Sequence, residues 1–311
     1  MIQKIKKLGD SKAVAFAAFV LPALGVFGSF IIFPIFRSFL DSLYRFDGLL
    51  RVEFVGFANY RQVLFGGSKI SSLFWNALSN NAYALVFVLV VQTTLGFLLA
   101  LALFQKFKGS RFFESMLFLP VTLSIVVVGY LFSLMLHPSW GAINQLIRLL
   151  GFSDFYFPWL GDPNTALTTI LLVNVWRWAG FPALVFLAGL NSIPQSIIEA
   201  TEIDGASAIT RVFRIYIPLL VPQFLIVLIL TITGNIKMFA LIFSLAGPQG
   251  SPGHATDVLG TLFYRTAFGG ITGLSDKGLG ATIGMIIIVL SSVISITVVL
   301  LLQRKQVKLY G

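Results

Sequence analysis

Six stretches of the chain are apolar for long enough to cross a bilayer. They lie near residues 13–36, 78–104, 116–136, 166–190, 218–245 and 279–302. Each approaches the roughly 20 residues that a helix needs to span about 30 Å of hydrocarbon. The first follows Lys4, Lys6, Lys7 and Lys12, as the core of a signal peptide would. It is too long for such a core, so it counts as a span. The pattern predicts an all-α, polytopic membrane protein with six transmembrane helices, a single domain over residues 1–311.

The interval over residues 191–217 breaks the apolar rhythm without becoming a loop. Asn191-Ser192-Ile193-Pro194-Gln195 reads as a helix start, with Ser192 as cap, Gln195 completing a capping box and Pro194 in the first turn. Gly205 supplies a permissive backbone where one helix stops and another begins, and Asp204 is placed to cap the second helix. Ala206, Ile209, Val212, Phe213 and Ile217 then recur at near-helical spacing. Thr210, Arg211 and Arg214 take the other face, and Pro218 ends the segment. Two short helices joined at Gly205 are too polar to span. They fit either an amphipathic surface helix or a helix that docks in a groove of a cytoplasmic partner.

Composition agrees with the spans. The 311 residues are 57% hydrophobic and only 11% charged, against about 25% charged in soluble domains. The net charge of +10 therefore reads as basic residues flanking spans, not as a nucleic-acid surface. The short N-terminal tail, the Gln105–Arg111 connection and the tail around Arg304, Lys305 and Lys308 are basic. With six spans they share one side, together with the 191–217 insert. The longer connections, near 37–77, 137–164 and 246–278, hold eight basic residues, many offset by acids. The positive-inside rule places both termini and the insert in the cytoplasm. Trp140 and Trp159 suit an interfacial belt.

Absences narrow the chemistry. There is no cysteine, and the two histidines, His137 and His254, lie far apart, so no metal site or catalytic set is predicted. No G-x-x-x-x-G-K-[ST] string occurs; Gly66-Gly67-Ser68-Lys69 lacks the spacing of a phosphate cradle. The chain is not expected to be an enzyme or to bind a cofactor itself.

Polar side chains do occur inside the spans, where they are costly and face the bundle interior. Asn174, Arg177, Trp178 and Phe181 share one helical face, with Trp176 nearby. Thr231, Asn235 and Met238 share another, from which Lys237 points away. These sets suit either a substrate path or interhelical hydrogen bonding. Arg177 and Lys237 raise the further question of an anionic substrate, unless each pairs with a carbonyl, a neighbouring subunit or an acid such as Asp257. Gly280 and Gly284 form a G-x-x-x-G suited to close helix packing, for instance on a second subunit.

Residues 199–206, Glu-Ala-Thr-Glu-Ile-Asp-Gly-Ala, followed by Ile217-Pro218-Leu219-Leu220-Val221-Pro222, resemble the EAA loop of ABC-importer permeases, with Thr201 in place of the usual third alanine. Phe54-Val55-Gly56-Phe57-Ala58-Asn59-Tyr60, Phe74-Trp75-Asn76-Ala77-Leu78, Phe186-Leu187-Ala188-Gly189-Leu190 and Tyr264-Arg265-Thr266-Ala267-Phe268 also look like carbohydrate-type permeases. In order, these motifs cover nearly the whole chain. It is similar to the maltose/glycerol-phosphate class, of the six-span kind.

The resemblance implies a type I ABC importer permease fold in a bacterial or archaeal cytoplasmic (inner) membrane. Glu199, Ala200, Asp204, Gly205 and Ala206 would form a coupling helix docked on a nucleotide-binding ATPase. Two such ATPase subunits would carry ATP and Mg. A second homologous permease and an extracytoplasmic solute-binding protein complete the implied set, with lipid around the spans. Asn174, Trp176, Thr231, Asn235 and Met238 match positions that line the sugar site of the maltose-type permease, and Arg177 shares the face of Asn174. The competing class is a secondary transporter or channel with no ATPase partner. It would ordinarily carry membrane-embedded acids, and no Asp or Glu lies well inside a span.

Overall fold

The computed structural model describes residues 12–47, 50–236, 238–269 and 276–310. Helix α1 (Lys12–Phe27) runs through a π-helical turn, Gly28–Ile32, into α2 (Phe33–Ser42). The widened turn lies just before Pro34, whose missing N–H cannot serve a carbonyl one turn back. A small hairpin comes next, β1 (Tyr44–Asp47) antiparallel to β2 (Leu50–Phe54), with Tyr44 opposite Phe54 and Arg45 opposite Glu53. The helical expectation did not include these strands. The Leu-Arg-Val-Glu-Phe alternation of β2 is their signal. Asn59, on α3 (Ala58–Phe65), closes the hairpin by donating to the carbonyls of Ser42 and Tyr44, at 2.9 and 3.0 Å.

The longest helix, α4 (Lys69–Phe104), starts well before the apolar stretch that predicted it. It organises the interior, because three buried clusters are strung along it. Phe74 and Ala77 join one, Ala84 and Val88 the next, and Phe97, Ala100 and Leu103 the third.

The third predicted span is broken. Helices α5 (Ser110–Thr122) and α6 (Ile125–Met135) meet at a 98° bend across Leu123 and Ser124. Pro120 in the last turn of α5 removes a backbone donor there, and Leu123 is extended. Beyond α7 (Ala142–Leu149), the fourth span consists of α8 (Ala166–Trp178) and α9 (Gly180–Asn191), bent by 43°.

The polar insert is α10 (Gln195–Ile203), α11 (Ala208–Arg211), a π-helical turn Val212–Tyr216 and α12 (Ile217–Leu219). Pro218 does not end it; the chain stays helical to Leu219, then turns by 68° at Leu220 into α13 (Val221–Ile236). The fifth span is also interrupted, resuming as α14 (Ala240–Ala246). Helix α15 (Leu259–Phe268) precedes the last span, α16 (Lys277–Tyr310).

Among the described residues, three helices are long and apolar enough to cross a membrane unbroken, and there are six spans if each bent pair counts as one. Gly280 and Gly284 do allow close packing, here against Ala267 and Phe263 of α15 in the same chain.

Candidate functional site

The broken spans meet at a cavity of about 460 Å³, within the roughly 300–1,000 Å³ of small-molecule sites. Non-helical backbone at membrane depth is tolerated where it is buried in protein or lines a cavity, because its freed polar groups need partners. Here Ile125 lines the cavity just after the α5–α6 break, Met238 and Phe239 line it between α13 and α14, and Ala240 lines it at the start of α14. From α8, Asn174, Arg177 and Trp178 line it, joined by Phe181 from α9. From α13 come Thr231 and Asn235, both buried.

Of the polar span residues singled out from sequence, Asn174, Arg177, Thr231, Asn235 and Met238 share this cavity. Trp176 does not. It is exposed on the opposite face of α8 and its ring packs on Phe132, centroids 5.1 Å apart. The reason is angular: Trp176 is two residues from Asn174, about 200° around the helix. Lys237 lies outside the described residues. One polar lining residue was missed, the buried Gln92 of α4. Its signal was legible, an amide four residues after the lining Val88, between an apolar run and Thr93-Thr94.

Two nitrogens on this cavity lack partners among the described residues. The Asn235 side-chain amide nitrogen and Arg177 Nε are buried without a hydrogen bond. Arg177 does donate from Nη2 to the carbonyl of Leu123, at 3.3 Å, which serves the backbone at the α5–α6 break. Its guanidinium also lies 5.3 Å over the Trp178 ring.

The α10–α12 segment is a separate, exposed feature. Glu199 and Ala200 are exposed on α10. Gly205 has φ +69° and closes a Schellman turn: its N–H donates to Glu202 O at 3.1 Å, and Ala206 N–H donates to Thr201 O at 3.0 Å. Thr201, the departure from the EAA pattern, is buried and donates to Ile198 O at 2.7 Å.

Two capping expectations are corrected. Ser192 ends α9, donating to Gly189 O at 2.7 Å, and Pro194 occupies the cap position of α10. Asp204 ends α10, and Ser207 caps α11 by accepting from Thr210 N–H at 3.2 Å. Arg211 pairs with Glu202 across the turn at 2.7 Å. Outward, Ile203, Ile209 and Phe213 are exposed. Inward, Ile193, Tyr216 and Leu220 join the buried cluster of Phe97, Phe186 and Leu190.

At the far end of α4, Asn80 donates to the carbonyls of Ala255 and Asp257, at 3.0 and 2.8 Å. Asp257 is fully buried and accepts from Arg265 Nη2 at 2.5 Å and Thr261 Oγ1 at 2.6 Å. Arg177 therefore does not take Asp257 as its counter-ion. Trp159 is tied inward, donating to Asn144 at 2.6 Å, whereas Trp140 is exposed and stacked on His137.

Comparison with known proteins bears on both features. The chain is 33% identical to the probable ABC transporter permease protein YurN of Bacillus subtilis over 80% of this chain and 84% of that one. It is 33% identical to the trehalose/maltose transport system permease protein MalF of Thermococcus litoralis, over 91% of this chain and 90% of that one. A solved chain from a bacterial alginate ABC transporter, in complex with an alginate pentasaccharide-bound periplasmic protein, shares the fold. Its TM-score is 0.74 at 24% identity, covering 92% of each chain. Residues 92–308 match the family model described as "binding-protein-dependent transport system inner membrane component", and the exposed helical segment and most of the cavity fall within them. With that match and a one-third identity along nearly its whole length, the chain belongs to the family of binding-protein-dependent transport system inner membrane components.

Proposed function

We propose that this chain is the permease subunit of an ATP-driven importer that takes up a sugar or sugar derivative delivered by an extracytoplasmic solute-binding protein. The relative named for trehalose and maltose transport supports the substrate class, and the alginate transporter held with its periplasmic protein supports the delivery step. A second homologous permease completes the path through the membrane. Two nucleotide-binding ATPase subunits, carrying ATP and Mg, engage α10 and α11 from the cytoplasm, where both termini also lie.

The observation that carries this reading is the connection of the exposed segment to the cavity. Only Leu220 separates α12 from α13, which holds Thr231 and Asn235; residues 192–194 separate α9 from α10. Force on the Glu199–Ala206 turn therefore reaches two cavity-lining helices through short joints anchored by the buried Ile193 and Leu220. The cavity can then be biased between two states by nucleotide. Glu199 and Ala200 form the docking surface, and Asp204, Gly205 and Ala206 fix its shape. Amides and hydroxyls of Asn174, Thr231 and Asn235 suit sugar hydroxyls, and Trp178 and Phe181 cover an apolar sugar face.

The test is reconstitution with candidate ATPase subunits, the second permease and the binding protein, with ATP hydrolysis and uptake then measured. Gly205→Pro cannot adopt the positive φ and loses the N–H given to Glu202. It is expected to leave the complex assembled and to lower uptake per ATP hydrolysed at least tenfold. Normal coupling in this variant would remove the proposed role of the turn. Uptake driven by an ion gradient without any ATPase would remove the importer reading itself.

A further inference from the structure

Arg177 brings a full positive charge to the cavity, and among the described residues no Asp or Glu lines it. Asp257 is unavailable, being fully buried and bound by Arg265 and Thr261. One Arg177 nitrogen serves the Leu123 carbonyl, but Nε is buried with no partner. On the same cavity, Asn235 is 3% exposed and its amide nitrogen is also unpartnered. Buried donors without acceptors are rare, and a charge in a low-dielectric site calls for an opposite one. A neutral hydroxyl supplies an acceptor but leaves the guanidinium uncompensated. An anionic oxygen supplies both, and the planar guanidinium suits carboxylate, sulfate and phosphate alike.

Resting on the reading of this chain as a carbohydrate permease, we infer that the cavity takes a sugar bearing an anionic group, with Arg177 meeting the charge and Asn235 donating beside it. The aromatic rings of Trp178 and Phe181, 6.1 Å apart and edge to face, cover the apolar sugar surface.

The complete importer in proteoliposomes, with its binding protein, tests this. It is offered a mixture of oligosaccharides from polygalacturonate, glucuronoxylan, carrageenan, starch and cellulose, together with hexose phosphates. Compounds accumulated inside in an ATP-dependent manner are identified by mass spectrometry. Selective accumulation of acidic members supports the inference. Accumulation of neutral members alone, or of both classes equally, overturns it and leaves the importer reading standing. No ATP-dependent accumulation of any member overturns both.

The role of Arg177 is then separated from simple support of the α5–α6 break. Arg177→Gln keeps a donor for Leu123 and removes the charge; Arg177→Lys keeps the charge and loses the fork. The glutamine variant is expected to lower acidic accumulation at least tenfold, and the lysine variant to retain several times more than that. Equal losses in both, matched by an equal fall in assembled complex, make Arg177 a structural residue and overturn the assignment.

Discussion

Gly180 sits where α9 begins, and a Cβ built on it would fall 1.9 Å from the Leu117 carbonyl oxygen of α5. The obstacle is backbone, so no flexible side chain can yield. Gly180→Ala is expected to cost about 1–3 kcal/mol, the range for forced overpacking. The thermal midpoint of the purified chain in detergent measures it. Gly25→Ala is the control, because nothing lies within 4 Å of that position, and its midpoint is expected to be unchanged or slightly higher. At this scale the sequence was informative about polar residues. Asn174, Arg177, Thr231 and Asn235 stand out because an amide, hydroxyl or cation in an apolar run must find a partner or line a cavity. Trp176 is under no such constraint, and only its angle on α8 decides that it faces away from this cavity.

Between elements, the decisive contacts are those joining the exposed segment to the spans. Phe186 of α9 is fully buried, with ring centroids 4.5 Å from Phe224 of α13 and 5.5 Å from Phe97 of α4. Phe186→Ala leaves a void at this three-helix junction and is expected to cost about 3–5 kcal/mol. Solute-stimulated ATP hydrolysis should fall toward its basal rate, and Phe186→Leu should restore most of it. Full stimulation in a stably assembled Phe186→Ala complex would show that force reaches the cavity by another route. The helix–turn–helix of the segment was readable from Gly205 and the apolar spacing after it. Its caps were not, because Ser192, Asp204 and Ser207 are all competent caps. Which one serves depends on where α9 and α10 stop, and packing against Phe97 and Leu190 sets that.

For the whole molecule, the asymmetry of basic residues predicts the α10–α12 segment inside the cell and the 247–258 region outside. The absence of cysteine makes this directly measurable, since an introduced thiol has no background. Ser207→Cys is expected to resist a membrane-impermeant maleimide in intact cells and to react in inverted vesicles. Ser251→Cys should show the reverse, and both residues are exposed. The opposite labelling would place the segment where no cytoplasmic ATPase can reach it. The first span is largely exposed along its length, including Phe16, Phe19 and Phe30, so lipid or another subunit must cover it.

What the amino-acid sequence determined by itself is the solvent of each segment and the identity of its polar exceptions. Apolar run length sets which stretches can cross a bilayer, and one charged insert between two such runs stands out whatever the fold. Hydropathy is a sum over residues, so it survives without coordinates. The breaks at Leu123–Ser124, Ala179 and Met238–Phe239 are different. At the first of them a distant side chain serves the freed backbone, Arg177 donating to the Leu123 carbonyl. Such compensation is long-range in sequence and short-range in space. Only the tertiary structure could decide that three interrupted spans meet, and that Gln92 joins Asn235 and Arg177 around one cavity.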